Sequence, residues 1–190
     1  LLPGAVLTRV AASHLRVGTF QVFAARRDLA NLQVLTDYAI ARHYPEADGP
    51  MGLLRGVRDA QAELIAAWMS VGFIHGVLNT DNCSISGETI DYGPCAFMGA
   101  FRANQVYSSI DRQGRYAWNK QAEMGLWNLT RFAESLLPLF ATDEATAVEF
   151  AQESLGQFTP LFFAQFQARM PGKLGLGSAM GEEGPAFVQA

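Results

Sequence analysis

The chain has 190 residues, 49% of them hydrophobic and 17% charged, and 18 acidic against 14 basic residues give a formal net charge of -4. That is ample apolar material for one buried core, while the acidic balance and the lack of a Lys/Arg cluster argue against nucleic acid as a partner. Two cysteines, Cys83 and Cys95, are too few for a disulfide scaffold and lack metal-site spacing, so a reducing compartment is the simplest reading.

Leu1-Leu2-Pro3-Gly4 has no initiator Met, charged n-region or long apolar h-region, so it does not read as a signal peptide but as a chain entered part-way. No apolar run approaches the roughly 20 residues needed to cross a bilayer, and no membrane partner is expected. Ala5 to Val10 is a short β-prone run, read as a strand or linker, with Arg9 and Arg16 on either side of Ser13. Phe20 to Phe23 reads as a short helical turn. Asp28 can cap a helix carrying Leu29, Leu32, Leu35, Tyr38, Ala39 and Arg42, stopped by Pro45. Residues 46–50 read as a loop.

Leu53 to Val71 carries the strongest helical signal. Leu54, Val57, Gln61, Leu64, Ile65, Trp68 and Met69 fall largely on one stripe, and Arg55, Arg58, Asp59 and Glu63 lie elsewhere. Gly72 is placed to end it as a C-cap glycine. From Phe73 to Phe101 the helical period vanishes into a loop with two tiny strands. Residues 103–116 are connecting structure with a turn at Asp111 to Gly114. Ala117 to Phe140 is helical with Pro138 near its end. Thr142 is the expected N-cap of a final helix running through Met170, which Pro160 should interrupt. The glycine-rich stretch 171–190 is read as a mobile tail.

The irregular stretch is where the chemistry concentrates. Phe73, Ile74, Val77, Leu78, Ile85, Ile90 and Phe97 can anchor it to a core, leaving Asn79, Asp81, Asn82, Glu88 and Asp91 to point outward. Carboxylates and an Asn brought together by a hairpin offer hard oxygen ligands suited to Mg²⁺, which prefers carboxylates plus substrate phosphates. Singly, Asp81, Asn82 and Asp91 are also ordinary turn formers.

The order of His75, Asn82 seven residues later, and Asp91-Tyr92-Gly93 resembles the protein-kinase core, H-R-D-x-x-x-x-N followed by D-F-G. Where a kinase places its catalytic Asp, this chain has Val77, and an acid appears instead at Asp81. The full string His75-Gly76-Val77-Leu78-Asn79-Thr80-Asp81-Asn82, with Thr89-Ile90-Asp91-Tyr92-Gly93-Pro94, resembles the selenoprotein O (YdiU) family. So do Arg9-Val10-Ala11 through Leu15-Arg16-Val17-Gly18-Thr19-Phe20 and Lys173-Leu174-Gly175-Leu176.

This resemblance implies a mainly α, kinase-like C-lobe in which long helices surround a catalytic and metal loop. It implies an ATP-dependent adenylyltransferase that modifies Ser, Thr or Tyr hydroxyls of acceptor proteins. Asp81 would be the catalytic base, Asn82 and Asp91 the metal ligands for Mg²⁺ (or Mn²⁺), and Arg9 and Arg16 the nucleotide-phosphate contacts. The glycine-rich loop and the Lys/Glu pair of such folds would lie upstream of Arg9, so these 190 residues are expected to be inactive alone. A bacterial cytoplasm suits the composition, and the resemblance implies mitochondria for a eukaryotic source. Two other readings stay open: a divergent kinase that transfers the γ-phosphoryl with Asp81 as a displaced base, and a non-catalytic pseudokinase module.

Several features get plainer readings. His75 is structural, bonding backbone near the loop, and Arg26-Arg27 is a solvated face. Phe158, Phe162, Phe163 and Phe166 are core, and Cys83 and Cys95 are small buried residues. Gly175 to Gly181 lacks the spacing and the preceding strand of a dinucleotide loop.

Overall fold

A computed structural model describes residues 4–6 and 8–175. Among them the elements run α1 (Val17–Ala25), α2 (Leu29–His43), α3 (Gly49–Ser70), β1 (Phe73–Ile74), β2 (Ala96–Phe97), a 3₁₀ turn (Trp118–Lys120), α4 (Gln121–Phe140), α5 (Glu144–Gly156) and α6 (Phe158–Lys173). The fold is mainly α, as expected, and the only strands among the described residues pair antiparallel with Phe73 opposite Phe97 and Ile74 opposite Ala96. None of the described helices is long and apolar enough to cross a membrane.

The core forms where α3 lies between α4 and α6. Leu54, Val57, Ile65 and Trp68 of α3 are buried, as their spacing predicts. α1 closes one side by setting Phe20 edge-on to Phe132 of α4, with ring centroids 4.9 Å apart. Fully burying a side chain of this size contributes roughly 1.5–3 kcal/mol, so this pair fixes α1 firmly on the core.

Several boundaries differ from the sequence reading. α3 begins at Gly49 rather than Leu53, because Pro50 falls in its first turn, where a missing N–H costs no helical bond. Its end is as expected: Val71 is the C-cap and Gly72 follows at φ +68°. Asp28 caps α2 by accepting from Asn31 N–H. The cap of α5 is Asp143, not Thr142, and it accepts from Thr146 N–H at 2.9 Å. The single helix expected through Met170 is two helices. The break is at Gln157, three residues before Pro160, which sits in the first turn of α6 and is tolerated there.

α1 is a nine-residue helix rather than a turn, and residues 8–10 form no strand. Residues 171–173 continue α6 and 174–175 form a turn after it, while 176–190 of the expected tail lie outside the described residues. Exposure adds what the spacing left open and corrects one core assignment, that of Phe163. Leu29 and Tyr38 are half-exposed on α2, whose buried face is Leu32, Thr36 and Ala39. Phe163 is half-exposed while Phe158 and Phe162 are core. Arg58, placed off the apolar stripe, is nevertheless buried, and its Nη1 donates to the Ser154 carbonyl and hydroxyl of α5.

Candidate functional site

Two segments far apart in the chain build the site. The first is the strap before α1. Its end pairs with the loop after β1: Ile85 N–H donates to the Leu15 carbonyl and Val17 N–H to the Cys83 carbonyl, both at 3.0 Å, around an Arg16–Ser84 bridge. One residue on, Gly18 N–H donates to the Thr80 carbonyl at 2.9 Å. Ala12 is clamped from two elements. Its N–H donates to the Glu88 carboxylate, 2.9 Å from the nearer oxygen, and its carbonyl accepts from Arg42 Nη2 at 3.2 Å.

The second segment is the loop from His75 to Gly93, held by amide and indole side chains of the surrounding helices. Gln121 of α4 receives His75 N–H and donates to the Phe73 carbonyl, and Asn128 donates to the Leu78 carbonyl. From α3, Gln61 donates to the Ser84 carbonyl and Trp68 Nε1 to Thr89 Oγ1. A loop without regular structure must satisfy its backbone groups with side chains, and these do so from inside the core.

His75 ties the loop's two ends together. It stacks on Trp68, and its Nε2 lies 2.8 Å from the Ile90 carbonyl while Nδ1 accepts from Val77 N–H at 3.3 Å. That pairing requires a neutral ring with the proton on Nε2. Burial favours the same state, holding the imidazole below the ordinary histidine range against the opposing pull of the Ile90 carbonyl and Asp91. His75 is therefore structural, as the sequence suggested, and fixes the residue before Asp91. Asp91 itself takes φ +54°, a left-handed conformation that Asp tolerates better than most side chains.

Between strap and loop opens a cleft of about 910 Å³. Arg9, Arg16, Asn82 and Asp91 all line it, with His14 and Tyr92. Asn82 donates its amide nitrogen to the Val77 carbonyl at 2.8 Å, and among the described residues no hydrogen bond engages its amide oxygen. The Arg9 guanidinium lies 4.7 Å over the Tyr92 ring, and neither cleft arginine joins an ion pair among the described residues. Two free cations thus face two hard oxygen donors across one cavity. No group of three His, Cys, Asp or Glu side chains gathers to cage a metal among the described residues. The donor set fits an ion that takes Asn82 and Asp91 and completes its shell with water and phosphate oxygens, as Mg²⁺ does.

Comparison with known proteins gives the family of the chain. The sequence profile described as "Protein adenylyltransferase SelO" matches residues 2–190. The chain belongs to the SelO family. It is similar to the protein nucleotidyltransferase YdiU of Rhodopseudomonas palustris (strain TIE-1), with 61% identity over 178 residues, covering 92% of this chain and 36% of the relative. It is also similar to YdiU of Ruegeria pomeroyi, at 59% identity over 187 residues, 98% of this chain and 39% of the relative. The chain therefore spans under two fifths of the length of the relatives it matches.

Of the five residues that the SelO resemblance singled out, four share the cleft wall. Asp81, the fifth, does not line it: it is exposed, directly before Asn82, with its carboxylate against Gly18 of α1. The sequence reading missed His14, Gly18, the Glu88 clamp and the buried amides of α3 and α4. One signal for the amides was available: Gln61 sits in an otherwise apolar stripe, where a polar residue must have a partner to satisfy.

Proposed function

We propose that this SelO-family chain is the catalytic lobe of a magnesium-dependent protein adenylyltransferase, with ATP as donor and Ser, Thr or Tyr hydroxyls of other proteins as acceptors. The observation that carries the reading is the cleft lined together by Arg9, Arg16, Asn82 and Asp91, with Asp81 directly before Asn82 in the chain. Family membership and the relatives' description as nucleotidyltransferases support the same reaction class.

In this reading Asp81 takes the proton of the acceptor hydroxyl, whose oxygen then bonds to the α-phosphorus. The bond from that phosphorus to its bridging oxygen breaks, and pyrophosphate leaves. Arg9 and Arg16 neutralise the phosphates, and Asn82 Oδ1 with the Asp91 carboxylate would hold the metal. A divalent ion there supplies further charge neutralisation to the phosphate oxygens, the main demand of such transfers. The resemblance assigns the glycine-rich loop and the Lys/Glu pair to a segment before Arg9, so the assay uses the chain extended to the full length of its relatives.

That protein is given ATP labelled at the α- or the γ-phosphate, with Asp81→Asn and Asp91→Ala alongside. Acceptor protein labelled from the α position alone, and lost in both variants, is the expected result. Label from the γ position alone would make the chain a divergent kinase. Absence of both would favour a non-catalytic module.

A further inference from the structure

Arg9 and Arg16 are not the only groups the strap presents to the cleft. Along residues 12–16 exposure alternates: Ala12, His14 and Arg16 are exposed, Ser13 is buried and Leu15 is half-buried. That is the period of two of an extended chain, in which every second side chain shares a face. The strap is held in that register at both ends. Glu88 and Arg42 clamp Ala12, and the Leu15 carbonyl and Val17 N–H pair with the loop. Ser13 turns inward and accepts from Leu15 N–H through its hydroxyl. His14 is thereby set on the same face as Arg16, and both line the cleft with Arg9. Among the described residues the His14 ring makes no hydrogen bond, so both ring nitrogens are available to a ligand.

We propose that His14 is a third nucleotide-contacting residue, donating from its ring to the phosphate oxygens that Arg16 also faces. This rests on the nucleotidyltransferase reading of the cleft. An N–H donor suits this position because the fixed backbone register of the strap turns the side chain to the face that Arg16 shares. The ligand it takes is the polyphosphate chain of the donor, not the adenosine.

The test uses the chain at the full length of its relatives and measures binding calorimetrically, with Mg-ATP and with magnesium tripolyphosphate, which has no nucleoside. His14→Leu should weaken both about tenfold, the loss of one hydrogen bond to a charged group. His14→Arg should restore binding to within about threefold, since it returns an N–H donor to the same face. In the transfer assay His14→Leu should raise KM for ATP with little change in kcat, which a merely structural residue would not do selectively. Arg16→Ala separates the two levels of the argument. If it weakens binding while His14→Leu binds as the wild type, the His14 assignment is wrong and the cleft reading stands. If neither variant changes binding, the phosphate cleft itself is misassigned and His14 falls with it. Failure of His14→Arg to rescue would equally overturn the donor role.

Discussion

The carboxylate of Asp81 lies against the backbone of Gly18: a methyl group on that glycine would fall 2.5 Å from Asp81 Oδ1. The neighbouring backbone is farther away, with the Thr80 carbonyl oxygen at 3.5 Å, so only the carboxylate would be forced to move. Gly18→Ala should leave the helix intact, since alanine is the better helix former by about 1 kcal/mol, while turning Asp81 aside. Transfer should fall by about ten- to a hundredfold, the usual consequence of displacing a reacting group by an ångström. Thermal melting alongside the transfer assay separates the two effects, and full activity in Gly18→Ala would remove Asp81 from the base position.

The Glu88 clamp makes a different prediction. Its carboxylate receives Ala12 N–H and the Ser86 hydroxyl, so it fixes the strap that carries Arg9 and Arg16. Glu88→Gln replaces one acceptor oxygen by a donor facing donors. KM for ATP should rise by about tenfold, one charge-assisted hydrogen bond, with a smaller change in kcat. An unchanged KM would mean that the pairing of Leu15 and Val17 with the loop suffices to hold the strap.

His75 predicts a pH dependence of stability. Its folded-state pKa lies below the ordinary value, so on acidification the unfolded chain takes up the proton first. The neutral ring's contribution is whole above about pH 6.5 and is lost as pH falls below that toward the depressed folded value. His43, also held low chiefly by burial, acts in the same direction. The melting temperature should fall between about pH 7.5 and 5.5, and His75→Gln should flatten that slope without abolishing it. A slope identical to the wild type's would assign the linkage to His43 and other groups.

Arg58 predicts a loss of stability away from the cleft. Its buried guanidinium donates from Nη1 to the Ser154 carbonyl and hydroxyl, joining α3 to α5, and from Nε to Asp59. Arg58→Met fills similar volume but leaves the Ser154 groups without that donor. Urea unfolding should show a loss of about 2–3 kcal/mol. A change well below that would mean that water reaches Ser154 in the variant.

The contrast between Arg58 and Trp68 explains what the sequence could and could not reveal. Trp68, Ile65 and Val57 were legible because an apolar stripe at helical spacing has one sensible destination, a core. Arg58 was not, because its burial depends on a carbonyl of a helix far along the chain. The same holds for the site. Asn82 and Asp91 stood out through a long motif, whereas Gly18 and Glu88 matter only because folding brings them against Asp81 and Ala12. Boundaries shifted at two prolines: Pro50, read as loop, and Pro160, read as an interruption, both occupy first turns, where proline is tolerated at the start of a helix.

The bonds from Leu15 and Val17 to Ile85 and Cys83 also bear on the order of folding. The two walls of the cleft are separated by all of α2 and α3, and closing so long a chain segment is repaid only after those helices have docked. The helices can form from local contacts, but the strap must wait for them. The cleft is therefore a late product of folding, and slowing the α2–α3 docking step would delay the appearance of nucleotide binding more than the appearance of helix.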